Sequence, residues 1–210
     1  MKYKAVLFDM DGVIIDSEPI HFAAFQSTLE HNGKSLSQAD YLKYFAGRTD
    51  EDGFKEYFNS INETVDMPVI LDRKTKAYLE LGKYQLVAYQ GVVDLIKKLA
   101  VEVSLALVTG SSKAEVNIAL KTLGISDCFS ATVCAEDVKN GKPDPEGYLK
   151  AQKMLKVHPS DCVVVEDSPS GVSAAINAGF DCIAVTNTHS ADALKAAMLT
   201  VKNLSINLFS

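Results

Sequence analysis

Four short apolar runs punctuate this chain, and each stops on a polar residue. Ala5-Val6-Leu7-Phe8 runs into Asp9, Val103 to Val108 runs into Thr109, and Cys162-Val163-Val164-Val165 runs into Glu166-Asp167. Cys182 to Val185 is the fourth, and Phe129 to Val133 is a further candidate. Runs of this kind, continuously apolar and rich in β-branched residues, suit strands covered on both faces, which is the condition of a parallel sheet.

The segments between the runs read as helices with ordinary ends. Val92, Leu95, Ile96 and Leu99 recur at helical spacing within Gly91–Ala100. Val116, Leu120 and Leu123 do the same from Lys113 up to Gly124. Ser168-Pro169 offers an N-cap and a first-turn proline, and Gly179 sits where that helix should stop. Asp144-Pro145 plays the same part for a helix through Leu155. Strands alternating with helices predict βαβ units, hence an α/β fold with a Rossmann-like parallel sheet.

One stretch breaks the alternation. From Ser17 to Gly82 there are helical patterns and no convincing strand: Phe22, Phe25 and Leu29 share one face, and Ile70, Ala77 and Leu81 share another. The expected organisation is a core of residues 1–16 and 86–210, interrupted after its first strand by a helical cap, residues 17–85. Hinges are expected near Asp16 and Tyr84–Gln90.

Composition narrows the class. Hydrophobic residues make up 47% and charged residues 23% of 210, which excludes a disordered chain. Four cysteines without ligand spacing exclude a disulfide scaffold and suit reduced thiols. Net charge is −6 with no basic block, so a nucleic-acid partner is not expected. The first apolar run is too short for a signal or a membrane span, so neither a membrane partner nor export is expected. A cytoplasmic monomer acting on a small molecule is the expectation.

Four local patterns carry chemistry. Asp9-Met10-Asp11-Gly12-Val13 places two carboxylates directly after a buried strand, at the sheet edge where open α/β folds bind ligands. Such a pair repels unless it shares a proton or a cation, and a hard divalent cation with oxygen ligands fits. Glu166-Asp167 could complete that site, or could be dipole-friendly acids beside the Ser168 cap. Thr109-Gly110-Ser111-Ser112 could be a phosphate cradle at a helix start, or a simple N-cap. Lys142, in Gly141-Lys142-Pro143-Asp144-Pro145, could neutralise an anion, or be a surface lysine.

Taken in order, these four patterns resemble the motifs of the haloacid dehalogenase-like hydrolase superfamily. That family has D-x-D-G after its first strand, a Thr/Ser after another, then a lysine, then an acid pair. The resemblance covers nearly the whole chain, the helical insert included. It implies a Mg²⁺-dependent phosphatase of a small phosphorylated metabolite, a sugar phosphate, working through an aspartyl-phosphate. Asp9 would be the nucleophile and Asp11 the general acid and base. Asp9, Asp11 (through its carbonyl), Glu166 and Asp167 would form the metal site, and Thr109, Gly110, Ser111 and Lys142 would hold the phosphoryl group. Asp11 argues against the dehalogenase and phosphonatase branches, which lack that acid. The nearest resemblance is to the β-phosphoglucomutase-like group, where His21, Gly47, Arg48 and Lys74 match substrate-facing positions of the cap. The alternative implied is a phosphomutase of the β-phosphoglucomutase type. Asp50 stands where such mutases carry an arginine for a second phosphate, which favours hydrolysis.

Overall fold

The run Ala5–Phe8 forms strand β1, and a tight loop leads to the short strand β2 (Ile15–Asp16). Four helices follow: α1 (Glu18–His31), α2 (Gln38–Tyr44), α3 (Asp50–Ser60) and α4 (Met67–Gln85). The chain returns through β3 (Val87–Ala88) to α5 (Val92–Leu99), β4 (Ser104–Val108) and α6 (Lys113–Leu123). Then come β5 (Ala131–Val133), α7 (Glu146–Leu155), β6 (Cys162–Glu166), α8 (Pro169–Asn177), β7 (Asp181–Val185) and β8 (Leu199–Val201). The computed structural model describes residues 1–46 and 48–210. They form two compact units, Met1–Ser17 with Leu86–Ser210, and Glu18–Gln85.

In the first unit six strands make one parallel sheet in the order β5-β4-β1-β6-β7-β8. β1 is central: Val6 is in register with Leu105 of β4 on one side and Val163 of β6 on the other. Its four residues are wholly buried, as the unbroken apolar runs predict for strands covered on both faces. Val6, Leu7 and Phe8 each contribute roughly 1.5–3 kcal/mol by leaving water.

The helix ends follow the expected chemistry with one shift. Ser112 caps α6 in a capping box with Glu115, and Gly124 ends it at φ 62°. Ser168 caps α8 by accepting from the Gly171 N–H, with Pro169 in the first turn. For α7 the cap position is Pro145 rather than Asp144, and the Asp144 carboxylate accepts from the Glu146 N–H at 2.9 Å. Two features escaped the sequence reading because they are too short to show periodicity. β2 and β3 pair antiparallel at the two chain crossings, and β8 extends the sheet edge. The strand expected over 129–133 begins only at Ala131. The four cysteines are free, three buried and Cys128 partly so. Among the described residues no helix is long and apolar enough to cross a membrane.

The helical unit has its own core of Phe25, Leu29, Leu36, Tyr41, Phe45, Phe54, Tyr57, Phe58 and Ile70. Phe25 lies 4.3 Å from Phe45 and 5.2 Å from Phe54 between ring centroids, so the packing is largely aromatic. Here α4 corrects the expectation. It does not stop at Gly82, and its buried line is Ile70, Lys74, Tyr78 and Gly82 rather than Ile70, Ala77 and Leu81. A hydrophobic-periodicity reading turns a lysine outward, yet Lys74 is only 1% exposed. Its Nζ lies 2.8 Å from Asp50 Oδ2 and 3.0 Å from His21 Nδ1, and 5.1 Å and 5.2 Å from the Phe25 and Tyr78 ring centres. Removing the counter-charge of a buried ion is costly, so Asp50→Ala should destabilise the protein by about 3 kcal/mol in urea unfolding. Asp72→Ala, which breaks an exposed pair with Lys76, should leave stability unchanged.

Candidate active site

Because β4, β1 and β6 are neighbours, the residues at their carboxyl ends converge. Asp9 continues the ladder past β1, its N–H donating to Val165 O at 3.0 Å. The chain then folds back sharply: Met10 O accepts from the N–H groups of Val13, Ile14 and Ile15. Gly12 serves this turn twice. Its φ of +78° favours glycine, and a Cβ there would lie 1.9 Å from Asp167 Oδ2. The tight turn and the approach of Asp167 therefore both require the missing side chain.

Lys142 reaches into the site from the loop before α7. Its Nζ donates to Asp9 Oδ1 at 2.7 Å, to Glu166 Oε1 at 2.6 Å and to Val108 O at 3.2 Å. Glu166 is wholly buried and surrounded by donors. Its Oε1 also accepts from Tyr148 OH at 2.8 Å. Its Oε2 accepts from the N–H groups of Asp167 (2.9 Å) and Ser168 (3.2 Å) and from Ser168 Oγ (3.1 Å). That set fills the lone pairs of a carboxylate. Gly171, one turn into α8, makes room: a Cβ there would lie 1.7 Å from Glu166 Oε1.

The charges do not balance. Asp9, Glu166 and Asp167 are buried and can bring carboxylate oxygens within 4.8 Å of one another, with Asp11 two residues from Asp9 and one lysine among them. Burial pushes the Asp9 carboxyl well above its ordinary range; Lys142 opposes this, while Glu166, Asp11 and Asp167 push it further up. Burial raises Asp167 to about 6, with Thr188 opposing and Glu166 adding to the rise. Burial works against Glu166 as well, but Lys142 and the other donors outweigh it and hold its carboxyl low. Lys142 stays charged: burial opposes its charge, and Asp9 and Glu166 more than restore it. A divalent cation beside Asp9 and Asp167 would supply the missing positive charge, and the all-oxygen donor set suits a hard ion. Glu166, expected among the ligands, has Oε1 engaged by Lys142 and Tyr148 and Oε2 by the Asp167 and Ser168 donors.

Across the loop, Asp11 Oδ2 accepts from Ser111 Oγ at 2.5 Å and Thr109 Oγ1 at 3.3 Å, while its buried Oδ1 has no hydrogen-bond partner among the described residues. Thr109 Oγ1 accepts from the Ser111 N–H at 3.0 Å, and Gly110 sits between them with open space where a Cβ would be. A cavity of about 210 Å³ adjoins this side, lined by Thr109, Gly110, Lys142 and Tyr148 among others. So Asp9, Lys142, Glu166 and Asp167 form one linked group and Asp11, Thr109 and Ser111 another, at the carboxyl ends of the neighbouring strands β6, β1 and β4.

The residues expected to hold substrate from the helical unit have partners within that unit: Lys74 contacts His21 and Asp50, and Arg48 donates to Glu56. Gly47 lies outside the described residues. Four contributors went unread in the sequence: Tyr148, Asn187, Thr188 and His189. Asn187 Nδ2 donates to Gly12 O at 2.7 Å, and Thr188 Oγ1 donates to Asp167 Oδ2. The available signal was position, since Asn187-Thr188-His189 closely follows a buried strand as Asp9 and Thr109 do. Tyr148 carried no signal beyond a polar group on the buried face of a helix.

The model of the haloacid dehalogenase-like hydrolase family matches residues 6–185. The chain belongs to that family. It is 34% identical over 206 residues to validoxylamine A 7'-phosphate phosphatase of Streptomyces hygroscopicus subsp. limoneus, covering 97% of this chain and 95% of that protein. It is 33% identical over 184 residues to a phosphorylated carbohydrates phosphatase of Thermotoga maritima, covering 86% and 83%. A solved Thermotoga maritima structure, provisionally described as a β-phosphoglucomutase, superposes with a TM-score of 0.83 at 31% identity, covering 95% of this chain and 94% of that one. In this chain the acid cluster includes a buried Glu166 whose packing requires Gly171. Gly171→Ala should therefore cost roughly 1–3 kcal/mol in urea unfolding by overpacking. Gly141→Ala, with open space at its Cβ, should cost far less.

Proposed function

We propose that this protein is a phosphoric monoester hydrolase that takes a sugar phosphate and works through an aspartyl-phosphate on Asp9. The observation that carries the reading is Asp9 itself. It is a buried carboxylate held by Lys142 at 2.7 Å, with Asp11 and the Thr109 and Ser111 hydroxyls linked beside it. The sugar-phosphate class is supported by two relatives whose names specify phosphorylated carbohydrates and validoxylamine A 7'-phosphate.

In this reading Asp9 attacks the phosphorus, and the bond to the leaving oxygen breaks as Asp11 gives that oxygen its proton. The Asp11 carboxylate then takes a proton from water, whose oxygen attacks the phosphorus and frees Asp9 with inorganic phosphate. Lys142, the Gly110 N–H and the Thr109 hydroxyl bind the phosphoryl oxygens, since phosphoryl transfer is mostly positioning and charge stabilisation. Asp9, the Asp11 carbonyl and Asp167 would hold Mg²⁺, which when bound neutralises charge on the phosphoryl group. Glu166 keeps Lys142 aimed at Asp9. The helical unit is assigned the choice of substrate.

A phosphomutase is the second reading, favoured by the likeness to the structure described as a β-phosphoglucomutase. Asp50 weighs against it: a carboxylate paired with Lys74 replaces a free cation for a second phosphate. The deciding assay screens phosphorylated sugars for free phosphate, and β-glucose 1-phosphate with a bisphosphate primer for isomerisation. Efficient isomerisation would make the mutase reading correct. Asp9→Asn should abolish turnover, because an amide is a poor nucleophile, and Asp11→Asn should cost about 10²–10⁴-fold in kcat.

The metal assignment has a stability signature. Asp9 and Asp167 titrate higher folded than unfolded, so the folded state binds protons more tightly and loses stability as pH rises. For Asp167 that loss begins near the ordinary carboxylate value of about 3.9 and is complete above about 6. Without metal, the contribution of this site to stability should fall between about pH 4 and 7. Mg²⁺ should raise Tm more at pH 8 than at pH 5. Asp167→Asn should raise the metal-free Tm at pH 8 and abolish the response to Mg²⁺.

A further inference from the structure

The loop after β7 contacts the acid cluster from a side that none of the four motifs supplies. Asn187 Nδ2 donates to Gly12 O at 2.7 Å, tying the loop to the turn that follows Asp9 and Asp11. Thr188 packs its methyl against that turn, since a Cβ at Gly12 would lie 3.0 Å from Thr188 Cγ2. Its hydroxyl contacts Asp167 Oδ2 and lies 3.2 Å from Asp167 O. His189 Nδ1 lies 2.8 Å from Thr188 Oγ1 and 3.0 Å from Asp167 O.

Hydrogen counting orients this network. The Thr188 hydroxyl has one hydrogen, and an ionised carboxylate only accepts, so that hydrogen goes to Asp167 Oδ2. The Asp167 carbonyl must then be served by something else. His189 Nδ1 faces two atoms, Thr188 Oγ1 and Asp167 O, that can only accept from it. It therefore carries its hydrogen on Nδ1. The result is a directed chain, from His189 Nδ1–H to Thr188 and the Asp167 carbonyl, and from the Thr188 O–H to the Asp167 carboxylate.

We infer that Thr188 and His189 are positioning residues for Asp167, which set the affinity of the cluster for its divalent cation by fixing one carboxylate oxygen and leaving the other free to bind. The inference rests on the reading of Asp167 as a metal ligand. It assigns new work to a loop outside the family motifs. The physical reason is general: partners that orient a metal-binding carboxylate typically change metal affinity by about 10–100-fold when removed.

The test is Mg²⁺ binding to the substrate-free protein by isothermal titration calorimetry, with the Mg²⁺-dependent rise in Tm as a second readout. Thr188→Val keeps the shape and removes the hydroxyl, and should weaken Mg²⁺ binding by about 10–100-fold. Thr188→Ser restores the hydroxyl and should recover most of the affinity. His189→Ala, on an exposed position and thus tolerant of change, should weaken binding in the same direction by a smaller factor. A merely structural role would lower the metal-free Tm of these variants without moving the Mg²⁺ dissociation constant. Thr188→Val or His189→Ala binding Mg²⁺ within twofold of the parent would overturn the inference and leave the phosphatase reading standing. A parent protein that binds no Mg²⁺ would overturn both.

Discussion

One ammonium group, that of Lys142, stands between two buried carboxylates at the carboxyl ends of β1 and β6. Much of the surrounding structure follows from keeping it there. A lysine and acids this deep are tolerable only when each is paired and hydrogen-bonded. Glu166 meets that condition by accepting from Tyr148, Ser168 and two backbone N–H groups besides Lys142. Asp9 is less well served, which leaves it poised to share a proton or a cation. The site thus splits its acids by environment: one saturated and structural, the others under-compensated and available for chemistry.

Geometry at backbone level makes this crowding feasible. Two glycines stand where side chains would collide with acids, Gly12 against Asp167 and Gly171 against Glu166. Both lie just beyond strand ends, one in a turn with positive φ and the other in the first turn of α8. The parallel sheet does the rest, because placing β1 between β4 and β6 brings Asp9, Thr109 and Glu166 together from distant parts of the chain. Open α/β sheets bind ligands at this kind of strand edge for the same reason.

The helical unit applies the opposite economy. Its buried lysine is compensated by Asp50 and enclosed by aromatic rings, so the charge is balanced within the unit. The resemblance to the β-phosphoglucomutase-like group points Lys74 and Arg48 toward a ligand, and the partners they have in this chain are not visible in one dimension. Partner identity is a distance in space: Lys74 and Asp50 are far apart in sequence and 2.8 Å apart in the fold. The same blindness hid Tyr148, whose hydroxyl acts only through Glu166, and the Asn187-Thr188-His189 loop, which holds Gly12 and Asp167 from elsewhere in the chain.

What the sequence by itself determined is local and periodic. Short apolar runs bounded by polar residues suit strands buried on both faces, and caps such as Ser112 and Ser168 with their partners three residues on are encoded within a single turn. Acids and hydroxyls directly after such strands must emerge at the carboxyl end of the sheet, so Asp9, Asp11, Thr109 and Glu166-Asp167 are legible as candidates that the fold brings near one another. Only the tertiary structure decided strand order, the choice of Glu166 to hold Lys142, the inward turn of Lys74 and the contact of Thr188 with Asp167. Each of these depends on contacts between residues remote in sequence. Their energies come from burial and charge pairing, which exist only once the chain has packed.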